Sequence, residues 1–149
     1  MIPEQINVMN WTQCETSTHQ DGVIAHVLGT TILGHFVLDE TAFLLLDIGF
    51  VWNIYLNAEM GLLPHPVAVA ELSAEAEYRS GIQRDIDRLL AGASSGDLEF
   101  AQSATLRAPI TEVSLFENSE GRRLMIECEN GRVIIETSIA KGEVKVNVE

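Results

Sequence analysis

The feature that most limits the fold is an alternation of apolar residues over residues 44–57. Every second position of this segment is apolar, namely Leu44, Leu46, Ile48, Phe50, Trp52, Ile54 and Leu56. Successive side chains of a strand point to opposite faces, so the pattern predicts one strand with a buried face. Because the segment exceeds the usual strand length of about five or six residues, we expect a bend near Gly49.

The flanking segments also predict β-structure. Residues 23–38 are rich in strand-forming residues, and we expect residues 39–41 to connect them to the long strand as a hairpin. Residues 5–12 form a weaker strand candidate. Proline restricts the residue before it and cannot continue a helix, so Pro64 and Pro66 predict an extended passage, with a short edge strand over residues 67–72.

Residues 73–92 form the one helix that the sequence predicts. Its apolar positions recur at helical spacing, at Ala74, Tyr78, Ile82, Ile86, Leu89 and Leu90. Ser73 suits the N-cap position, and Glu75 and Glu77 suit the first turn, where the helix dipole favours acids. Gly92 suits the end of the helix.

The C-terminal third has the pattern of a β-meander. Four strands are predicted at residues 111–117, 123–129, 132–138 and 143–148, joined by turn-forming residues. A two-residue loop at Asn130 and Gly131 would pair Glu129 with Arg132. This register would place Leu124, Ile126, Cys128, Val133 and Ile135 on a core face.

These elements predict an α+β fold, mostly antiparallel, with a bent sheet or partly closed barrel and one amphipathic helix. Residues 1–149 are expected to form a single domain with a β-hairpin region at 1–72, the helix at 73–92 and the meander at 97–149. The length of 149 residues is sufficient for a core without disulfides or metals.

The net charge of −13 is divided unevenly along the chain. No Lys or Arg precedes Arg79, whereas residues 1–78 hold ten acidic residues. Nucleic acids and anionic membranes are bound through Lys and Arg, so we exclude both as partners. The division fits either simple solubility or a face that attracts a basic protein or a cation.

The N-terminus and the cysteines predict a cytoplasmic protein. The first residues lack the basic and apolar regions of a signal peptide, and Cys14 and Cys128 have no metal-type spacing. Asp47, Asn53 and Glu59 interrupt the most apolar window, which argues against a transmembrane helix.

His19, His26 and His35 form, with nearby acids, the densest group of candidate metal ligands. A zinc site would need their imidazoles to converge about 2.0–2.2 Å from one ion. On a straight strand, His26 and His35 would lie about 30 Å apart. Unrelated strand and loop histidines therefore remain the alternative interpretation.

Asp47, Asn53 and Tyr55 lie on the less apolar side of the predicted long strand. If the sheet closed into a barrel, this side would line a cavity, and these residues would be polar anchors for a small ligand. The alternative is a half-exposed sheet face.

The sequence carries no Gly-rich phosphate loop and no nucleophile-elbow motif. We therefore expect a small, acidic, non-enzymatic binding protein without a cofactor, which engages a protein partner or a second copy of itself. A basic protein is the candidate partner. A small-molecule-binding, barrel-like domain and a metal-dependent enzyme that uses residues 19–35 are the alternatives.

Overall fold

A computed structural model describes residues 11–93, 95–104 and 108–149. The strands are β1 Thr12–Cys14, β2 Ile32–Leu38, β3 Thr41–Leu46, β4 Phe50–Tyr55, β5 Met60–Pro64, β6 Gln102–Ser103, β7 Ile110–Glu117, β8 Gly121–Cys128, β9 Gly131–Ser138 and β10 Glu143–Val148. The helices are α1 Thr18–Val27, α2 His65–Ala70 and α3 Ala76–Leu90. No helix in these ranges is long and apolar enough to cross a membrane.

The strands form two five-stranded antiparallel sheets. Sheet A has the order β1-β7-β8-β9-β10, and sheet B has the order β5-β4-β3-β2-β6. The predicted α+β class with mostly antiparallel strands is therefore confirmed. The strands make two sheets rather than the partly closed barrel that the sequence left open.

Sheet B is the middle layer of the molecule. One apolar cluster joins it to sheet A and includes Leu44 and Trp52 of sheet B with Ile126 of sheet A. A second cluster joins its other face to α2 and α3 and includes Phe43 of sheet B with Ile86 of α3. Because β3 is buried on both faces, all of its residues are buried, and all but Thr41 are apolar.

The prediction of one long strand over residues 44–57 is wrong. The segment forms β3 and β4, joined by a tight turn in which Gly49 has a φ of +80°. Leu45 pairs with Val51 and Phe43 with Asn53, so paired residues share a face and have the same parity. The alternation therefore stays in phase through the turn, and a hairpin gives the same pattern as a single strand.

The prediction of β-structure for residues 23–38 is wrong in its first part. Helix α1 ends at Val27 and β2 begins at Ile32. Ser17 caps α1 by accepting a hydrogen bond from the backbone N–H of Gln20, whose side chain accepts one from the N–H of Ser17. This capping box is a recognised helix start, and it outweighs the strand preference of the β-branched residues that follow. The hairpin connection between β2 and β3 is confirmed.

The edge strand predicted at residues 67–72 is instead helix α2. Pro66 lies in its first turn, where the missing N–H of proline has no intrahelical partner to lose. The predicted amphipathic helix at 73–92 is confirmed as α3, with shorter ends. Its N-cap residue is Glu75 rather than Ser73, and no side chain caps it.

The meander is confirmed as β7 to β10, but one register is wrong. Cys128 pairs with Gly131 and Glu127 with Arg132, so the turn is Glu129-Asn130 rather than Asn130-Gly131. The pairing register is shifted by two residues. Because side chains alternate between the two faces of a strand, a shift of two preserves the predicted core face. Further upstream, β6 joins sheet B beside β2 rather than the meander. Most of the strand predicted at residues 5–12 lies outside the described residues.

Candidate functional site

The ion pairs of the described chain all lie in its second half. The acidic partners are Asp85, Glu99, Glu117, Glu127, Glu136, Glu143 and Glu149, and every base is Arg84 or later. Within the described ranges, no acid before Asp85 pairs with a base. The described carboxylates of the first half therefore have no ion-pair partner among the described bases, as their separation in sequence suggested.

Four of these carboxylates surround two adjoining cavities at one end of sheet B. A cavity of ≈ 210 Å³ is lined by Asp39 and Glu71 among others, and one of ≈ 560 Å³ is lined by Asp39, Glu40 and Glu59. The two cavities share Tyr55, and neither is lined by a Lys or Arg among the described residues. We call the two cavities together the acidic groove.

Two turns with left-handed backbone shape this end of the sheet. Asp39 and Glu40 connect β2 to β3 with φ values of +47° and +62°, and Ala58 has a φ of +68° in the connection from β4 to β5. Two successive positive φ values at a hairpin tip suit the right-handed twist of the strands. Non-glycine residues adopt this region at a cost, and such positions concentrate at functional sites.

Asn53 is the most unusual residue of the groove. It lines the smaller cavity, is 6 % exposed, and its Oδ1 is buried without a hydrogen-bond partner among the described residues. We call this space the Asn53 cavity. The other such atom is Nε1 of Trp52, which lies in the apolar cluster between the sheets. A buried polar atom without a partner destabilises the fold by about 1–3 kcal/mol.

Aromatic residues and a glycine shape the space beside Asn53. Phe43 is its partner on β3, lines the same cavity and stacks on Phe36 with 4.6 Å between ring centroids. Gly61 is its partner on β5, and a Cβ built there would lie 4.0 Å from the Tyr55 hydroxyl oxygen. Asn53 therefore has an aromatic wall on one side and no side chain opposite it on the other.

The charge of Asp39 in the acidic groove affects the pKa of the Tyr78 side chain. Burial raises the pKa of Tyr78, and the charges of Asp39 and Asp85 raise it further. Asp39 itself is exposed at the groove, while Asp85 lies on α3 and is fully buried.

Asp47 lies apart from the other two predicted anchors. It occupies the turn between β3 and β4, at the opposite end of the hairpin from Tyr55. Its Oδ1 accepts a hydrogen bond of 3.1 Å from the backbone N–H of Thr31. The structure therefore brings Asn53 and Tyr55 to one cavity and gives Asp47 a contact that fixes the start of β2.

The three histidines are divided between two regions. His19 and His26 are exposed on α1 and line one groove, where Nε2 of His19 lies 2.8 Å from the Met60 carbonyl oxygen. His35 is on β2, and burial lowers its pKa. In the ranges that the structure covers, no group of three His, Cys, Asp or Glu residues could hold a metal ion.

The two cysteines are free thiols with suppressed reactivity. Burial raises the pKa of Cys14, and nearby Glu117 raises it further; burial and Glu127 do the same for Cys128. A thiol with a raised pKa is a poor nucleophile near neutral pH, since the thiolate is the reactive form.

Sequence reasoning did not bring together the acids of the acidic groove. Asp39 and Glu40 were considered as turn residues and as acids near the candidate metal-binding histidines, and Glu71 fell in the edge strand predicted at residues 67–72. The available signal was the lack of any base in residues 1–78, which indicated unpaired carboxylates without indicating where they meet.

In comparisons with known proteins, no family model, no curated protein and no solved structure matches the chain.

Proposed function

We propose that the chain is a non-enzymatic binding protein that captures a basic, lysine-bearing protein segment in the acidic groove. The observation that carries the proposal is that two cavities sharing Asp39 and Tyr55 are lined by four acids and by no described basic residue, the acids being Asp39, Glu40, Glu59 and Glu71. Oppositely charged surfaces attract each other over the Debye length, which accelerates encounter and disfavours acidic competitors.

The distribution of ion pairs supports a partner rather than an internal counterion. Most arginines of α3 and sheet A pair with acids of their own half, including Arg84 with Glu99 and Arg123 with Glu136, whereas Arg79 donates to the carbonyl oxygen of Ala74. Since no described base lines the groove, we expect its counterion to come from another molecule. Since the four carboxylates are exposed, each contact contributes little alone, and affinity would come from their number.

A fluorescent lysine-rich peptide provides the test, with binding measured by anisotropy at low and high salt. The groove variant combines Asp39→Asn, Glu40→Gln, Glu59→Gln and Glu71→Gln. The matched control combines Glu15→Gln, Glu77→Gln, Glu112→Gln and Glu129→Gln, which are also exposed and form no ion pair with the described bases. Both variants lose four negative charges, so net charge does not distinguish them.

We expect salt-sensitive binding to the wild type, with affinity reduced about tenfold or more in the groove variant and less than about twofold in the control. Equal losses in the two variants would mean that the peptide responds only to net charge. Binding that is unaffected by salt would remove the electrostatic basis of the proposal.

A further inference from the structure

The two described sheets have four edges, and three of them offer little to another chain. An open edge strand exposes backbone N–H and C=O groups that can pair with a further strand. The edges at β1 and β6 are only three and two residues long. At the β5 edge, Nε2 of His19 lies 2.8 Å from the carbonyl oxygen of Met60, and Pro64 has no N–H to donate.

The fourth edge, β10, has none of these protections. It is six residues long and contains no proline. Its pairing with β9 runs from Glu143 to Val148 without a register shift, so no bulge bends it away from a neighbour. Among the described edges, β10 is therefore the one best suited to accept another strand.

The pairing of β10 with β9 identifies which of its backbone groups are free. Arg132 and Glu149 exchange two backbone hydrogen bonds, of 3.1 and 2.9 Å. In an antiparallel pair, residues that exchange hydrogen bonds alternate with residues that do not. The N–H and C=O groups of Val144, Val146 and Val148 therefore point away from β9, and no described residue forms a backbone hydrogen bond with them.

The side chains of the same three valines carry the apolar core to this edge. They share the face of β10 that packs on the cluster between the sheets. Val144 is buried, whereas Val146 and Val148 are half-buried. The core is thus incompletely covered along the edge, and a further strand with β-branched residues would cover it and make cross-strand apolar pairs.

We infer that β10 pairs in antiparallel orientation with β10 of a second copy of this chain, about a two-fold axis at Val146. In this register Val146 faces its own copy and Val144 faces Val148, so the three outward-pointing valines form about six hydrogen bonds between the copies. Lys145 faces Asn147 of the second copy, whose amide oxygen accepts a hydrogen bond from the ammonium.

The neighbouring registers are less favourable. A two-fold axis at Lys145 would place the two lysines directly opposite each other, which destabilises a strand pair. An axis at Val144 would place Val148 beyond the end of the other strand and would lose most of the hydrogen bonds. The strand is therefore complementary to itself in one register, which favours a second copy over an unrelated strand.

Charge opposes this dimer and gives it a characteristic salt dependence. Glu143 faces Glu149 of the second copy, although each has a base of its own chain nearby, Lys145 at 3.6 Å and Arg132 at 3.9 Å. Each copy also has a net charge of −13, so the copies repel each other. Salt screens this repulsion and should favour the dimer, whereas it should weaken the binding of a basic peptide in the acidic groove. The two proposals can therefore fail separately.

Sedimentation equilibrium at low and high salt, over a range of protein concentrations, measures the association. We expect a dimer that becomes tighter with salt, with slower hydrogen exchange at the amides of Val144, Val146 and Val148 as it forms. A wild type that stays monomeric at about 1 mM protein and about 0.5 M salt would overturn the inference and leave the edge to a strand of another protein. Slower exchange at another strand instead of β10 would overturn it as well.

Val146→Pro removes the N–H group at the two-fold axis. Because this N–H points away from β9, its loss breaks no hydrogen bond of the ladder within the chain. We expect the variant to be monomeric and to keep the circular dichroism spectrum of the wild type. A folded variant that dimerises as strongly as the wild type would overturn the inference.

Charge changes at Asn147 test the register without introducing a proline. Asn147→Glu would place a carboxylate opposite Lys145 of the second copy, and Asn147→Lys would place a like charge there. We expect dimerisation to be about threefold tighter or more in Asn147→Glu and weaker by a similar factor in Asn147→Lys. Net charge alone predicts the reverse order, because Asn147→Glu makes each copy more negative.

The matched controls are Gln102→Glu and Gln102→Lys on β6. Gln102 is also an exposed amide residue on an edge strand, but it belongs to sheet B. We expect these two variants to follow net charge, with the glutamate form dimerising slightly less than the lysine form. Asn147 variants that follow the same order as the Gln102 variants would overturn the proposed pairing of β10 with its copy.

Discussion

Asp85 and Asn53 are both buried polar side chains, but they differ in whether their oxygen atoms have hydrogen-bond donors. Asp85 on α3 is 0 % exposed, and its two carboxylate oxygens accept hydrogen bonds from the backbone N–H groups of Glu99, Phe100 and Ala101. It thus holds the segment before β6 against the helix. Asn53 has no such partner for its Oδ1 among the described residues. The first arrangement stabilises the fold, and the second costs stability, because the acceptor is buried without a donor.

Replacing Asp85 by alanine should therefore be severely destabilising. Three backbone donors would lose their acceptor at once, and we expect the free energy of unfolding to fall by about 3–5 kcal/mol. Urea denaturation monitored by circular dichroism measures this change. Asp87→Ala is the control, because Asp87 is exposed on the same helix and its side chain accepts a hydrogen bond only from Gln83 among the described residues. Similar losses for both variants would contradict the role assigned to Asp85.

At the scale of elements, turn residues and helical spacing predicted more of the fold than strand propensity did. The meander and α3 were predictable because their turn residues and their apolar period agree with each other. The β3–β4 hairpin was not, since its alternation continues through the turn. Helix α1 was predictable from the capping box of Ser17 and Gln20, a signal that the β-rich composition of the next residues concealed.

Two glycines of these elements should respond in opposite ways to the same substitution. A Cβ at Gly121 of β8 would lie 1.8 Å from the carbonyl oxygen of Thr137, which belongs to the paired strand β9. Gly121→Ala should therefore separate the two strands and lower the free energy of unfolding by about 2 kcal/mol or more. At Gly22, in α1, a Cβ would meet no atom within 4 Å.

Gly22→Ala should consequently raise the free energy of unfolding by about 0.5–1 kcal/mol, because alanine loses less backbone entropy than glycine when a helix forms. Thermal denaturation of the two variants beside the wild type measures both changes. A neutral Gly121→Ala variant would contradict the close approach of β8 and β9 at this position.

At the scale of the whole molecule, the sequence predicted the uneven division of charge but not which acidic residues lie together in the fold. The lack of bases before Arg79 follows directly from the sequence. The convergence of Asp39 with Glu71 requires α2 to pack over the end of sheet B, and residues 65–70 were predicted as extended. Asn53 and Tyr55 were named as anchors from their shared parity alone. Their role in binding stays a prediction.

The stability of the whole molecule should fall on mild acidification because of His35. Burial lowers the pKa of His35 below its ordinary value of 6.5, so the unfolded chain takes up a proton more readily than the folded protein. The contribution of His35 is therefore intact above about pH 6.5 and is lost progressively as the pH falls through the lower, folded-state value.

Urea denaturation at about pH 7.5 and about pH 5.5 measures this effect. We expect the free energy of unfolding to fall between the higher and the lower pH, and to fall more in the wild type than in His35→Gln. His26→Gln is the control, since His26 is exposed, and it should behave as the wild type does. The same loss in His35→Gln as in the wild type would assign the acid sensitivity to other groups.

The double burial of β3 has a consequence for the chain before it folds. Its segment Thr41–Leu46 is short, uncharged and apolar apart from Thr41, which is the composition that stacks into intermolecular β-aggregates when exposed. Asp39 and Glu40 precede it directly, and Asp47 follows it directly. Charges at both ends of such a segment oppose its assembly with other copies during synthesis. The acids of the β2–β3 turn would then protect the nascent chain from aggregation, and their neutralisation should lower the yield of refolding even where the folded protein is unchanged.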